Sequence, residues 1–388
     1  MLGKSGSKEV NFWYNSWVKK TKILFVDHTP FPGGAQICLA SHLKCLDQDR
    51  FQPFLTIAKS SKYDSIYHNC NVPIYRIDFE QLKKIELPKL KQLGNSVQQF
   101  RALVKFLEPE IVVANTTRAL IVAAMAKGDF RLISYVRDYD YPRWLMKIFS
   151  TRADKILAVS RSVAEYYGGE KKWEVVYLGS DMKDQLASVK KGEAAQLKKG
   201  LGIDASDIVI GYAGRLVGWK GPQVLVEAVS KIADSRVKLV LFGSGKGQPG
   251  CVEGLLRKQI KKYQYKLEHR VKMAGFIEKR PLIYQSLDIF VLPSQDPEPF
   301  ATNVIEAALT GLPIIATDSG GTAEFIRDGK NGLLVKPGDS DELAAALVRL
   351  IKSASLRKSL GKKAKLDAAA FTEVKLASRL ERIYRSLI

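Results

Sequence analysis

The chain has 388 residues, 46% of them hydrophobic and 26% charged. That composition describes a globular protein of two sizeable domains and excludes a disordered or fibrous chain. No apolar run approaches the roughly 20 residues that cross a bilayer, and the net charge of +21 calls for anionic partners or a strongly solvated basic surface.

The opening segment is polar with three aromatics, Phe12, Trp13 and Trp17. It lacks a continuous apolar core and a cleavage site, and reads as an arm over 1–20 rather than a signal peptide. Lys22–Asp27 is the first strand-like run. A loop, His28–Gly34, leads from it into a helical pattern over Ala35–Leu46. Strand-sized runs follow at Phe54–Ala58, Ile74–Ile77, Ile111–Ala114, Leu132–Val136 and Ile156–Val159, with helical patterns at Val97–Leu107 and Ala119–Ala126. Alternating apolar strands and helices predict a parallel sheet covered on both faces. A lysine-rich stretch over Met182–Lys199 marks a boundary near 180. A second alternation then runs through Ile208–Ala213, Val237–Phe242, Val271–Met273, Ile289–Leu292, Ile314–Ala316 and Leu333–Val335, and three helical segments close the chain from Asp341. The expected organisation is an arm (1–20), an α/β domain (21–180), a second α/β domain (181–370) and a final helix (371–388).

The four cysteines, Cys38, Cys45, Cys70 and Cys251, form no paired motif, as expected of reduced thiols in a cytoplasmic protein. The histidines, His28, His42, His68 and His269, have no metal-ligand spacing, so neither metal nor cofactor is expected. The charge excess is spread evenly, with 27 Lys and Arg against 17 Asp and Glu in residues 1–180 and 34 against 23 beyond.

In open α/β sheets ligands sit outside the carboxyl ends of the strands, so the loops after strands carry the chemistry. After Ile208–Ala213 comes Gly214-Arg215-Leu216-Val217-Gly218-Trp219-Lys220-Gly221. Its glycines let backbone approach a ligand, and Arg215 with Lys220 suits a diphosphate; an ordinary helix entry with surface cations is the equal alternative. Gly243 opens a weaker glycine-rich turn. Pro293–Ala307 places Glu298 in a loop and Glu306 eight positions later, about one turn into a helix starting near Asn303. A carboxylate in the loop can accept hydrogen bonds from sugar hydroxyls. The free amides of Phe300, Ala301 and Thr302 can hold negative charge, and Glu306 can bind a ribose diol.

These spaced motifs, from Ile210 to Ala346, resemble the retaining glycosyltransferases of family 4, with GYAGRL, FGSG, DIFVLPS, EPFATNVIEA and GLPIIATDSGGTAEFI in order. The resemblance covers nearly the whole chain. It implies the GT-B fold: two Rossmann-like domains with parallel sheets facing a central cleft, and C-terminal helices crossing back to the first domain. It further implies metal-independent transfer from a nucleotide-diphosphate sugar, with retention, to a glycan, lipid-linked or other hydroxyl acceptor. Arg215 and Lys220 would bind the donor diphosphate, Glu298 and the Phe300–Thr302 backbone the donor sugar, and Glu306 the ribose. Gly214 and Gly243 would flank the donor, and Phe276 and Ile277 would meet the base. Gly33-Gly34-Ala35-Gln36 matches the family's first loop, with Gln36 where Glu is usual. Where many members carry a His near the donor sugar, this chain has Arg137 and Asp138, which either share that role or form a strand-end salt bridge.

Basic and apolar residues interleave over Gln81–Lys105 (Lys83, Lys84, Lys89, Lys91, Arg101, Lys105) and Arg143–Lys155 (with Trp144, Leu145, Met146, Ile148 and Phe149). This suits an anionic membrane as a partner, with the protein peripheral on its cytoplasmic face. The alternatives are a nucleotide-sugar epimerase on the same fold and a nucleic-acid-associated protein. The latter is disfavoured because no recognition motif accompanies the charge.

Overall fold

The computed structural model describes residues 19–29, 33–61, 64–79, 87–169, 171–263, 267 and 269–388, side chains 64 and 87–91 excepted. Most of the expected arm, with its three aromatics, therefore lies outside the described residues. The first domain runs β1 (Thr21–Val26), α1 (Gly34–Cys45), β2 (Phe51–Ala58), β3 (Ile74–Ile77), α2 (Leu87–Leu107), β4 (Ile111–Ala114), α3 (Thr117–Ala126), β5 (Arg131–Val136), α4 (Arg143–Ser150), β6 (Lys155–Ala158), α5 (Arg161–Tyr166) and β7 (Trp173–Val175). Every strand pairing is parallel, in the order β3-β2-β1-β4-β5-β6-β7. Strands such as β1, apolar and fully buried from Ile23 to Val26, carry no polar alternation because helices cover both faces of the sheet.

The lysine-rich boundary segment folds into two short helices, α6 (Met182–Leu186) and α7 (Glu193–Gly200). The second domain follows with β8 (Ile208–Ala213), α8 (Pro222–Ser230), β9 (Val237–Phe242), α9 (Glu253–Lys262), β10 (Val271–Gly275), α10 (Arg280–Gln285), β11 (Ile289–Leu292), α11 (Thr302–Thr310), β12 (Ile314–Thr317), β13 (Leu333–Val335), α12 (Ser340–Lys352), α13 (Ala354–Ala368) and α14 (Glu373–Arg385). Its six parallel strands lie in the order β10-β9-β8-β11-β12-β13.

The chain crosses between domains at two points that touch. Ser180 N donates to Phe371 O at 2.9 Å on the return crossing. A Cβ on Gly179 would sit 2.8 Å from the Thr372 carbonyl, so the close approach requires glycine there. Beyond this point α14 lies on the first domain. Tyr384 is fully buried, edge-on to Phe25 and Phe51, with its hydroxyl 3.1 Å from His42 Nε2. Burial pushes His42 down to about 3, which keeps it neutral in this core. One hydrophobic core thus runs from the first sheet through the crossing to the near side of the second, and another fills the far side of the second sheet.

Candidate functional site

The strand order fixes where the site lies. In each sheet the chain winds outward in both directions from a central strand pair. Those pairs are β1/β4 in the first sheet and β8/β11 in the second. Loops leaving such a pair diverge to opposite faces and open a crevice between them. The loops after β8 and β11 hold Gly214–Gly221 and Pro293–Ala301, and those after β1 and β4 hold His28–Gly34 and Asn115–Arg118. The two crevices face each other. A Cβ on Gly34 would lie 3.8 Å from Thr302 Oγ1, at the start of α11.

At the second-sheet crevice an ion pair joins the loops: Lys220 Nζ lies 2.5 Å from Glu298 Oε1, with the side chains only 13% and 5% exposed. Ser294 Oγ donates to the same oxygen at 2.6 Å. Trp219 sits beneath both cations, its ring centre 4.4 Å from Lys220 Nζ and 5.5 Å from Arg215 Cζ. The backbone closes the arrangement. Gln295 N donates to Trp219 O, and Gly321 N donates to Glu298 O, both at 2.7 Å. Gly320 has φ +62 and would place a Cβ 2.3 Å from the Glu298 carbonyl, so only glycine fits beside this loop. The α11 N-cap, Ala301, has no side-chain acceptor, which leaves the first-turn amides available to an anion. Arg215, Lys220 and Glu298 therefore gather around Trp219, and Phe300–Thr302 follow Glu298 in the same loop. Gly214 and Gly243 pack against each other beside them.

Glu306 lies on the same helix, but its carboxylate is buried and engaged. Oε1 accepts from Arg280, and Oε2 accepts from the Tyr284 hydroxyl at 2.5 Å. Arg280 also binds Asp181 at 2.6 Å. Burial raises the Glu306 pKa against the opposing pull of Arg280 and Tyr284. This network borders a cavity of about 130 Å³ between the domains, lined among others by Gly34, Cys38, Asp181, Glu306 and Glu373.

Phe276 and Ile277 follow β10, the edge strand two places from β8; Phe276 is 78% exposed and Ile277 packs against the core. On the first domain, Gly33 N donates to Gln36 Oε1 at 2.9 Å, while Gln36 Nε2 donates to Asp27 Oδ2 at 2.9 Å. Glutamine fits because it accepts from the loop and donates to a carboxylate, where glutamate would repel Asp27. Asp27 also accepts from Asn115 at 2.6 Å, tying the exits of β1 and β4 together. Arg137 forms no strand-end salt bridge among the described residues. It stacks 3.9 Å over Tyr135, and its Nε and Nη1 are buried without a partner. Asp138 accepts from Asp140 N, and burial with Asp140 nearby pushes it up to about 6. Among the described residues, no cluster of three or more His, Cys, Asp or Glu side chains could hold a metal.

Residues 193–367 match the family model "Glycosyl transferases group 1". That match covers most of the second domain, a little under half of the chain. The D-inositol 3-phosphate glycosyltransferase of Corynebacterium urealyticum is 32% identical over 49% of this chain and 46% of that protein; this match spans about half the length of the relative. An uncharacterized glycosyltransferase of Methanocaldococcus jannaschii is 25% identical over 90% of the chain and 94% of its own length. The crystal structure of Anabaena HepE in complex with UDP-glucose superposes with a TM-score of 0.81 at 26% identity, covering 94% of this chain and 99% of that one. The two facing sheets are the GT-B arrangement of these glycosyltransferases.

Several residues around this site had no counterpart in the sequence motifs. Arg280 and Tyr284 hold Glu306, and no motif announces them. Glu324 stands inside a motif quoted for the resemblance, yet its role emerges only across the domains. It accepts from the Arg161 and Ser162 amides at 3.0 and 2.8 Å and from the Tyr177 hydroxyl at 2.8 Å.

Glu373, the first residue of α14, has one carboxylate oxygen buried without a partner. Burial, reinforced by Asp181, pushes it from an ordinary 4.5 up to about 8. The native protein then keeps a proton that the unfolded chain has lost, so stability falls as pH rises from about 4.5 to about 8, by on the order of 5 kcal/mol. In Glu373→Gln, chemical denaturation at pH 5 and pH 8 should show this fall largely removed; an unchanged pH slope would contradict the assignment.

Proposed function

We propose that the protein transfers a sugar from a UDP-sugar to a hydroxyl acceptor, with retention of configuration and without metal or cofactor. The observation that carries this reading is the Lys220–Glu298 pair at the second-sheet crevice, set between a second cation, Arg215, and the open N-terminus of α11. Two fixed cations and a row of amides match a diphosphate that gains negative charge as the glycosidic bond breaks. The resemblance to a UDP-glucose-bound structure supports the choice of nucleotide. Glu298 is held by Lys220 and Ser294, so it suits a positioning contact to the sugar better than a nucleophile on its far face. A front-face substitution follows, in which the leaving phosphate takes the acceptor proton. The acceptor belongs on the first-domain side of the cleft, as a glycan, lipid-linked or other hydroxyl.

The surface near that side favours a membrane location. On α4, Met146 is buried, while Trp144 and Ile148 are each 55% exposed beside the exposed Arg143 and Lys147. Apolar tips flanked by cations suit the anionic headgroup layer. Arg101, by contrast, donates to the Ala126 and Met125 carbonyls and caps α3. Lys83 and Lys84, and the side chains of Lys89 and Lys91, lie outside the described residues. No described helix is long and apolar enough to cross a membrane.

Thermal shift should show stabilisation by UDP and UDP-glucose over the GDP and ADP counterparts. Arg215→Ala, an exposed position, should lower turnover about a hundredfold or more with the fold intact by circular dichroism. Unchanged turnover, or an epimerised nucleotide sugar from donor alone, would contradict the reading. Co-sedimentation with phosphatidylglycerol vesicles should fall for Trp144→Ala; equal binding by wild type and variant would rule out α4 as the docking element.

A further inference from the structure

The first-sheet crevice carries a second set of groups that the donor site does not use. It lies where the exits of β1 and β4 diverge, and α3 begins there. The helix start is organised: Thr116 caps it, its hydroxyl accepting from Ala119 N at 3.3 Å and lying 2.6 Å from His28 Nδ1. No acidic residue stands in the first turn. The next two side chains, Thr117 and Arg118, are 2% and 6% exposed. Thr117 Oγ1 and Arg118 Nε are both buried without a hydrogen-bond partner.

A guanidinium enclosed to this degree is costly unless a negative charge meets it. Arg280, also half-buried between the domains, is neutralised by Asp181 and Glu306. Arg118 has no ion pair among the described residues. His28, bonded to the Thr116 cap, feels this charge: burial, and after it Arg118, push it down to about 4. Two nearby carboxylates already take other donors. Asp27 accepts from Thr29, Gln36 and Asn115, and Asp138 accepts from Asp140 N. What is left unmatched is donor capacity, the Thr117 hydroxyl and the Arg118 Nε, at a helix start in the loops of the first-sheet crevice.

We propose that the start of α3, with Thr117 and Arg118, is a binding site for an anionic phosphate group carried by the acceptor. The acceptor is then a phosphate ester, whether a soluble sugar or polyol phosphate or a phospholipid headgroup, and its charge fixes the attacking hydroxyl opposite the donor. This inference rests on the reading of the second-sheet crevice as the UDP-sugar site.

The test is calorimetric titration of inorganic phosphate into the full-length protein saturated with UDP, which fills the diphosphate site first. Wild type should bind phosphate, and Arg118→Ala should weaken it by about tenfold or more. Arg118→Lys should recover part of the loss. UDP affinity should be the same in all three proteins, which also shows that the variants fold. In the wild type, phosphate should raise the His28 pKa followed by NMR, because the anion offsets Arg118. Repeating the titration with phosphatidylglycerol vesicles assigns the source: displacement of phosphate indicates a headgroup, and retention a soluble ester. Phosphate binding that is absent, or equal in wild type and Arg118→Ala while UDP still binds, overturns the anion site alone. Failure of UDP to bind wild type overturns the donor reading on which it stands.

Discussion

A salt bridge between Lys220 and Glu298 fastens two loops that the strand order of the second sheet brings side by side. Neither loop would hold its shape by local preference alone. One is a glycine-rich turn, and the other contains three prolines within seven residues. Pairing them across β8 and β11 creates a rigid patch of alternating charge, and the backbone bonds of Gln295 and Gly321 fix its outline. Such pairs contribute modestly to stability when exposed. Here both partners are mostly enclosed, so losing one would leave the other buried and uncompensated. A cation preorganised in this way needs no rearrangement to meet an anionic ligand.

The same topological feature recurs in the first sheet, and the symmetry between the two crevices organises the molecule. Each sheet presents a helix start at its diverging pair: α11 in one, α3 in the other. The double crossing at Ser180 and Thr372 and the burial of Tyr384 hold the first domain against the second. Glu324 spans the gap from the far side by capping α5. The interface is therefore built from polar contacts at its rim and a network of buried charges at its centre, where Arg280, Asp181, Glu306 and Glu373 meet around a small cavity. An interface of this composition responds to protonation, since two of its carboxyls, Glu306 and Glu373, sit above their usual range.

Much of the second domain was legible from sequence. β8, β9, β11 and β13 fall where the apolar runs place them, because fully buried parallel strands leave an unbroken hydrophobic signature. The donor motifs were legible for a related reason: glycines at close approaches and paired charges after strands are local features. The short helices on either side of the domain boundary were less transparent, because α5 to α7 are only five to eight residues long and carry little apolar periodicity. The network around Glu306 joins segments near 181, 280, 306 and 373, and no periodicity links positions so far apart in the chain. Arg118 sits in an apolar helix where no motif marks it, and its burial is visible only in the structure. Gln36 looked like a conservative replacement, and the structure shows that its amide does what a carboxylate could not beside Asp27.

The central claim is that the loops after β8 and β11 act as one ligand site, facing the glycine loop of the first domain. Amide hydrogen exchange with and without UDP addresses it directly. Exchange should slow together over 214–221 and 298–302, with a smaller effect over 33–36. Protection of one second-domain loop without the other, or protection confined to the sheet edges, would contradict it.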